Sequence, residues 1–195
     1  LAGMYRMGIG TEKNEKKAFE LYERVHKSDR SVGTYMMGIC YENGWGVSKD
    51  YAKAAEYYAW AIKKSEYSHR SLRALGSLYF RGAGVEKNYE KAFDLYQQAA
   101  ELNNSLALYN VGMMYLRGLS VEKSKKKAYE YFVKAAELGE SKAMFYIAQE
   151  HREQKNFAAA EEMFRKSLLA GYLESGFTLG MMLKSGEIGK KDYKG

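Results

Sequence analysis

The side chains best suited to catalysis or metal binding are few and scattered in this chain of 195 residues. Its three histidines are His26, His69 and His151, and none is followed at three or four residues by a second histidine or cysteine, as a helical metal site would require. Cys40 is the only cysteine, and it stands between two expected core positions, which suits a small buried hydrophobe better than a nucleophile. These residues predict no metal, no cofactor and no catalytic site.

Two glycine-rich turns and a pair of carboxylates are the other candidates for chemistry. Gly44-Trp45-Gly46 and Gly82-Ala83-Gly84 could suggest phosphate loops, but both lack the lysine and the Ser or Thr of a P-loop. A turn that recurs in several units is structural. Glu161 and Glu162 belong to a charged helix face without an obvious acid or base partner. The sequence therefore predicts that the chain is not an enzyme.

A repeated pattern determines which elements carry these residues. It reads Gly-x-x-Tyr-x-x-Gly-x-Gly-Val, followed by Lys-Ala, an aromatic residue and a second Ala pair. Successive anchors of the pattern lie 36, 38, 36, 36 and 32 residues apart. A period in this range is typical of a solenoid, in which each unit buries its apolar face against its neighbours. The anchors are Ala2, Gly38, Gly76, Gly112, Ala148 and Gly180.

Each unit is predicted to form two helices around a glycine turn. Gly38 falls in the middle of the first helix, where glycine costs about 1 kcal/mol relative to alanine. That cost is tolerable if the missing side chain lets a neighbouring helix approach closely. Gly44 is a candidate left-handed cap for the first helix, and Ser48 or Asp50 can cap the second, which carries Tyr58.

These residues together resemble the Sel1-like repeat, a relative of the tetratricopeptide repeat with a longer glycine-rich turn. The resemblance covers nearly the whole chain and implies an all-α fold, a right-handed α-α superhelix of helix pairs that acts as a scaffold or adaptor. It implies one repeat domain over residues 1–195. Its divisions are a partial repeat at 1–30, repeats at 31–66, 67–103 and 104–139, a degenerate tetratricopeptide-like repeat at 140–171 without the turn glycines, and a partial repeat at 172–195.

The resemblance also implies where a partner binds, because in related solenoids the first helix of each pair lines the concave surface. Residues three before the anchor, and one, four and five after it, share a stripe of that helix. This stripe is rich in arginine, aromatic residues and methionine, which favour interfaces. We predict binding of an acidic or aromatic polypeptide segment by Tyr35, Arg73, Phe80, Arg81, Tyr109, Met113, Arg117, Phe145 and Arg152. The alternative is that some of these aromatic residues pack between adjacent repeats.

The net charge of +7 leaves a second class of partner open. Basic helical repeat proteins of similar period bind RNA, although the turn glycines and tyrosine anchors here favour a protein partner over nucleic acid. Lys123, Lys125, Lys126 and Lys127 form a basic turn that could attract phosphates or anionic lipid, or simply be solvated.

The compartment and assembly of the protein are only loosely bounded by its sequence. A lone cysteine favours a reducing compartment such as the cytoplasm, although a secreted bacterial protein could share this composition. No apolar run approaches the roughly 20 residues that a membrane-spanning helix needs. The oligomeric state cannot be predicted from the sequence.

Overall fold

A computed structural model describes residues 1–28, 31–63 and 68–189 of the protein. Helices make up nearly all of the regular structure of these residues. Helices account for 74% of the described residues, which contain no strand, and they pack in consecutive pairs. The all-α prediction is therefore confirmed. The helices of this part of the chain are α1 (Ala2–Met7), α2 (Glu15–Lys27), α3 (Ser31–Asn43), α4 (Tyr51–Ile62), α5 (Ser68–Arg81), α6 (Tyr89–Glu101), α7 (Ser105–Arg117), α8 (Lys125–Glu137), α9 (Ser141–Glu153), α10 (Phe157–Leu169) and α11 (Glu174–Ser185).

The chain divides into two compact units, Leu1–Asn104 and Ser105–Gly195. The first unit holds α1 to α6, and each of these helices packs against the next one in sequence. The second unit holds α7 to α11, which pack in the same sequential manner. Because every helix is buried mainly by its sequence neighbours, the core of each unit is a succession of small layers.

Turn glycines and side-chain caps delimit the helices, as the pattern predicts. Gly44 and Gly46 have φ angles of 78° and 70°, in the left-handed region that favours glycine. Of the two candidate caps for α4, Asp50 is the one used: its carboxylate accepts the backbone N–H of Lys53 at 3.0 Å. Asn88 and Ser124 cap α6 and α8 in the same way.

A ring from the second helix covers each anchor glycine of the three complete glycine-anchored repeats. A Cβ on Gly38 would stand 2.5 Å from the nearest ring carbon of Tyr58. This separation confirms that the helices approach closely, because no side chain fits there without moving the ring. The corresponding distances are 2.9 Å between Gly76 and Tyr96 and 2.7 Å between Gly112 and Phe132.

The degenerate repeat keeps the pair of helices with a different turn. Ala148 replaces glycine at the anchor and packs in one buried cluster with Phe164. The turn between α9 and α10 is short, and Lys155 takes the left-handed conformation there, with φ 60°. This repeat therefore forms the same layer without either turn glycine.

Candidate partner-binding surface

The predicted partner-binding residues all lie on first helices. In the first unit, Tyr35 lies on α3, and Arg73, Phe80 and Arg81 lie on α5. The second unit carries Tyr109, Met113 and Arg117 on α7, and Phe145 and Arg152 on α9. Tyr35 is buried, Arg81 and Arg117 are exposed, and the other six are half-buried.

Glu42 joins α3 to both of its neighbours in the first unit. Tyr58 donates its hydroxyl hydrogen to Glu42 Oε2 at 2.6 Å, and Arg81 donates through Nη2 to Glu42 Oε1 at 2.7 Å. Burial and the hydrogen bond to Glu42 raise the pKa of Tyr58 far above its ordinary value, so the hydroxyl stays a donor. Arg81 thus already has a carboxylate partner within the chain.

Of the two predicted arginines of this unit, Arg73 is the one that lacks such a partner among the described residues. It is half-buried, and its charge acts on the hydroxyls of both Tyr58 and Tyr96. Burial raises the pKa of Tyr96, while the hydrogen bond with Ser77 and the charges of Arg73 and Arg81 oppose that rise. Among the described residues no carboxylate forms an ion pair with Arg73. We call Glu42, Arg73, Ser77 and Arg81, with the hydroxyls of Tyr58 and Tyr96, the α3–α5 surface.

All four of the predicted aromatic residues are engaged by other rings, and the ring centre of Phe80 lies 5.2 Å from that of Tyr89. The ring of Tyr35 lies 5.9 Å from that of Tyr58. In the second unit, Tyr109 lies 5.7 Å from Phe132, and Phe145 lies 5.4 Å from Phe164, both measured between ring centres. Tyr146 contacts Tyr109 and Phe145, and so brings these two predicted residues together. These rings therefore pack against rings of neighbouring helices.

Arg152 is paired within the second unit. Its Nε and Nη2 atoms donate to the two carboxylate oxygens of Glu187 at 2.6 and 2.7 Å. Ser185 adds a hydrogen bond to Glu187 at 2.8 Å. The bonds from Arg152 and Ser185 lower the pKa of Glu187 to about 2. The pair links α9 to the segment that follows α11.

Neither intrachain carboxylate was recognised from the sequence as the partner of an arginine. Glu42 and Arg81 are 39 residues apart, and Arg152 and Glu187 are 35 apart. Each separation is close to one repeat period. Both pairs could therefore have been predicted by searching the sequence for side chains of opposite charge that are about one repeat apart.

The basic turn of the second unit is partly neutralised by its surroundings. Lys125 lies 3.8 Å from a carboxylate oxygen of Glu153, and the ammonium of Lys127 lies 5.2 Å from the ring centre of Tyr115. A nearby pocket of about 380 Å³ is lined by both lysines and glutamates. It is lined by Lys125, Lys126, Tyr129, Glu130, Glu150 and Gln154. This mixture of charges does not single out a phosphate ligand.

The remaining chemical candidates occupy structural positions. Burial raises the pKa of Cys40 to about 12, which keeps the thiol protonated. His26 Nδ1 lies 3.0 Å from the hydroxyl of Thr34, and its ring meets the edges of Tyr57 and Trp60. Within residues 1–28, 31–63 and 68–189, no cluster of His, Cys, Asp or Glu is arranged to hold a metal ion.

No helix in the described part of the chain is both long and apolar enough to cross a membrane.

The family assignment rests on four matched segments. The profile of the Sel1 repeat matches residues 1–24, 31–64, 69–104 and 105–140, which is more than half of the chain. The chain belongs to the Sel1 repeat family. Sel1 repeat proteins generally act as protein-interaction scaffolds and are typically non-catalytic. The matches end at residue 140, where the degenerate repeat begins.

Solved structures share this architecture. A Sel1 repeat protein from Oxalobacter formigenes is 26% identical, with a TM-score of 0.88 over 99% of this chain and 80% of that one. The protective antigen c5321 of uropathogenic Escherichia coli, which has an SLR fold, is 28% identical, with a TM-score of 0.73 over 95% of this chain and 40% of that one. The immunity protein Pa5087 of Pseudomonas aeruginosa is similar in fold, with a TM-score of 0.66 over 97% of this chain and 71% of that one. It is 22% identical in sequence.

Proposed function

We propose that this Sel1 repeat chain is a non-catalytic scaffold that binds an acidic segment of a partner protein on the α3–α5 surface. The observation that carries the proposal is Arg73, a half-buried arginine with no carboxylate partner among the described residues. Partial burial removes water from the guanidinium group, so that a carboxylate from a partner gains a charge-assisted hydrogen bond there. The donor fork of arginine favours a carboxylate over a neutral acceptor.

The surroundings of Arg73 support a carboxylate ligand. Tyr96 places its hydroxyl group close enough for Arg73 to shift its pKa, and that hydroxyl is a further donor to an anion. Arg81 is held by Glu42 at 2.7 Å, so it orients the surface instead of presenting a free charge. An acidic side chain flanked by an apolar one would pair with Arg73 and pack on half-buried Phe80.

The second unit supplies a further contact of the same kind. Met113 and Arg117 lie on one stripe of α7, and Arg117 is exposed. Methionine adapts to varied apolar partners, while the exposed arginine steers acidic ones. Tyr35, Tyr109 and Phe145 support this function by fixing the helices that carry the contacts, and Arg152 does so through Glu187.

The experiment compares two charge reversals in affinity capture with mass spectrometry. Arg73→Glu changes the proposed contact, and Arg24→Glu makes the same change at an exposed position on α2 in the same unit. We expect a partner protein that is retained by the wild type and by Arg24→Glu and lost with Arg73→Glu. Equal capture of that partner by Arg73→Glu would reject the α3–α5 surface as its site.

Nucleic acid is the alternative ligand, and its support is the net charge of +7. Fluorescence anisotropy with a single-stranded poly(U) oligonucleotide separates the two functions. Binding that releases several counterions, seen as a steep loss of affinity with added salt, would favour RNA over a protein partner.

A further inference from the structure

Tyrosine hydroxyls at one register of the second helices hold polar side chains of the first helices in the first unit. The tyrosines are Tyr22, Tyr58 and Tyr96, on α2, α4 and α6. Their hydroxyls form hydrogen bonds with Arg6, Glu42 and Ser77, in that order. In the second unit the rings at this register are Phe132 and Phe164, so packing at the anchors does not require a hydroxyl. The hydroxyls of the first unit therefore serve the polar groups that they contact.

Arg6 is the charged side chain of this set that lacks an ionic partner. It donates a hydrogen bond to the hydroxyl of Tyr22, and its guanidinium carbon lies 4.2 Å from the ring centre of Trp45. Its Nε atom is buried and has no hydrogen-bond partner among the described residues. No carboxylate within the described ranges forms an ion pair with it. Because a partly buried cation without a counter-ion is costly, Arg6 favours the approach of an anion.

The missing carboxylate can be traced to one position of the following repeat. Arg152 lies four residues after its anchor, as Arg6 does, and it pairs with Glu187, which lies seven residues after the next anchor. The residue seven after Gly38 is Trp45. The position that would supply a carboxylate to Arg6 is thus present in the described chain and carries a ring. A ring over the guanidinium group holds it in place but accepts none of its in-plane hydrogen bonds.

We propose that Arg6 binds a second carboxylate of the acidic segment that Arg73 binds, so that the partner carries two acidic residues held by the first unit. This inference rests on the proposed function of the α3–α5 surface. Arg6 lies on α1 and Arg73 on α5, within one compact unit. Between these helices, on α3, Glu42 neutralises Arg81 at 2.7 Å. The two arginines without carboxylate partners therefore stand at opposite ends of the surface.

The spacing of the helices sets the spacing of the two acidic residues. Packed helices lie about 8–10 Å apart, so α1 and α5, with α3 between them, are separated by about 20 Å. An extended chain advances about 3.3 Å per residue, which places the two acidic residues about six positions apart. Glu42 lies between the two contacts and repels a carboxylate, so the segment should lack acidic residues in its middle.

The probes are two synthetic peptides of glycine and serine with blocked ends. One carries a Glu-Leu pair and a second glutamate about six positions away, and the other has glutamine at that second position. Their binding to the whole protein is measured by NMR titration. We expect the wild type to bind the peptide with two acidic residues about fivefold more tightly, because its second contact forms within one complex.

Variants of the protein test whether Arg6 makes that second contact. Arg6→Gln should reduce the preference for the peptide with two acidic residues to less than about twofold. Trp45→Glu should do the same, because it would give Arg6 the intrachain carboxylate that Glu187 gives Arg152. The matched control is Arg24→Gln, at an exposed position on α2 in the same unit, which should keep the full preference. Circular dichroism checks that each variant keeps its helices.

The outcomes separate this inference from the function on which it rests. Equal binding of the two peptides by the wild type, or a full preference in folded Arg6→Gln, would overturn the role of Arg6 and leave Arg73 as a single contact. Arg73→Glu should weaken both peptides alike. If it left both peptides bound as by the wild type, the α3–α5 surface itself would be rejected, and the second contact with it.

Discussion

At the scale of single residues, the same amino acid has opposite consequences at two anchors of the repeat. Gly112 lies under the ring of Phe132, whereas Gly180 faces open space. Both occupy the middle of a helix, where glycine costs about 1 kcal/mol relative to a good helix former. At Gly112 that cost is offset by close packing, and at Gly180 the described residues offer no such compensation.

The first prediction concerns the replacement of glycine by leucine at these two anchors. Gly112→Leu should lower the free energy of unfolding by about 1–3 kcal/mol, because the new side chain collides with Phe132 and with the backbone of Ala128. Gly180→Leu should leave stability unchanged or raise it by up to about 1 kcal/mol. Urea unfolding followed by circular dichroism measures both. Equal loss of stability in the two variants would contradict the role assigned to the covering ring.

A buried hydroxyl provides a second residue-scale prediction. Ser71 is fully buried and its Oγ has no hydrogen-bond partner among the described residues, while fully buried alanines stand at the same place in α7 and α9, as Ala107 and Ala143. An unsatisfied buried polar group costs about 1–3 kcal/mol, so Ser71→Ala should raise the free energy of unfolding by about 1 kcal/mol.

The matched control is Ser175→Ala, at the same register of α11. Ser175 donates to Ser167 Oγ at 2.7 Å, and Ser167 donates to the carbonyl of Ser141 at 2.7 Å. Removing the Ser175 hydroxyl breaks this chain, so thermal unfolding should shift downward. A stabilised Ser175→Ala variant, or a destabilised Ser71→Ala variant, would reject the argument from hydrogen bonding.

At the scale of the elements, the ion pair of Arg152 and Glu187 fastens the segment after α11 to α9. In the folded chain the hydrogen bond from Arg152 lowers the pKa of Glu187 from its ordinary value of 4.5 to about 2. A carboxyl group with a lowered pKa contributes stability that is fully present above its ordinary pKa and is lost as pH falls toward the folded value. The contribution of this pair should therefore be complete at neutral pH and should decline between about pH 4.5 and about pH 2.

Glu187→Gln tests this third prediction. The variant should melt at a lower temperature than the wild type at neutral pH, and the difference should shrink as the pH is lowered through that window. Glu174→Gln alters an exposed carboxylate of the same unit that forms no ion pair with the described residues, and should melt like the wild type. A difference between Glu187→Gln and the wild type that does not depend on pH would show that the ion pair is not its cause.

The helices could be predicted from the sequence because the same pattern of anchor, turn and cap residues recurs in several repeats. Periodic anchors predicted the helix pairs, and the turn glycines and the Asp50 cap followed from local backbone chemistry. Side-chain partners such as Glu187 could not be predicted from the sequence. They depend on how the elements of one repeat pack against those of the next repeat. For the same reason the sequence could not predict that Tyr146 contacts both Tyr109 and Phe145.

At the scale of the whole molecule, the α3–α5 surface is the one that we propose for a partner. The α3–α5 surface presents a half-buried charge between tyrosine hydroxyls. Family membership accounts for a scaffold, but the sequence alone could not single out this surface, since aromatic residues recur on every first helix and arginines on α1, α5, α7 and α9.

The dependence of partner binding on salt provides the last prediction. Screening shortens the reach of exposed charges, with a Debye length of about 10 Å at 0.1 M salt and about 3 Å at 1 M. Raising sodium chloride from about 0.05 M to about 0.5 M should therefore weaken capture of an acidic partner at Arg73 severalfold. Titrations of the partner at both salt concentrations measure the change, and an affinity that does not depend on salt would contradict a charged contact at Arg73.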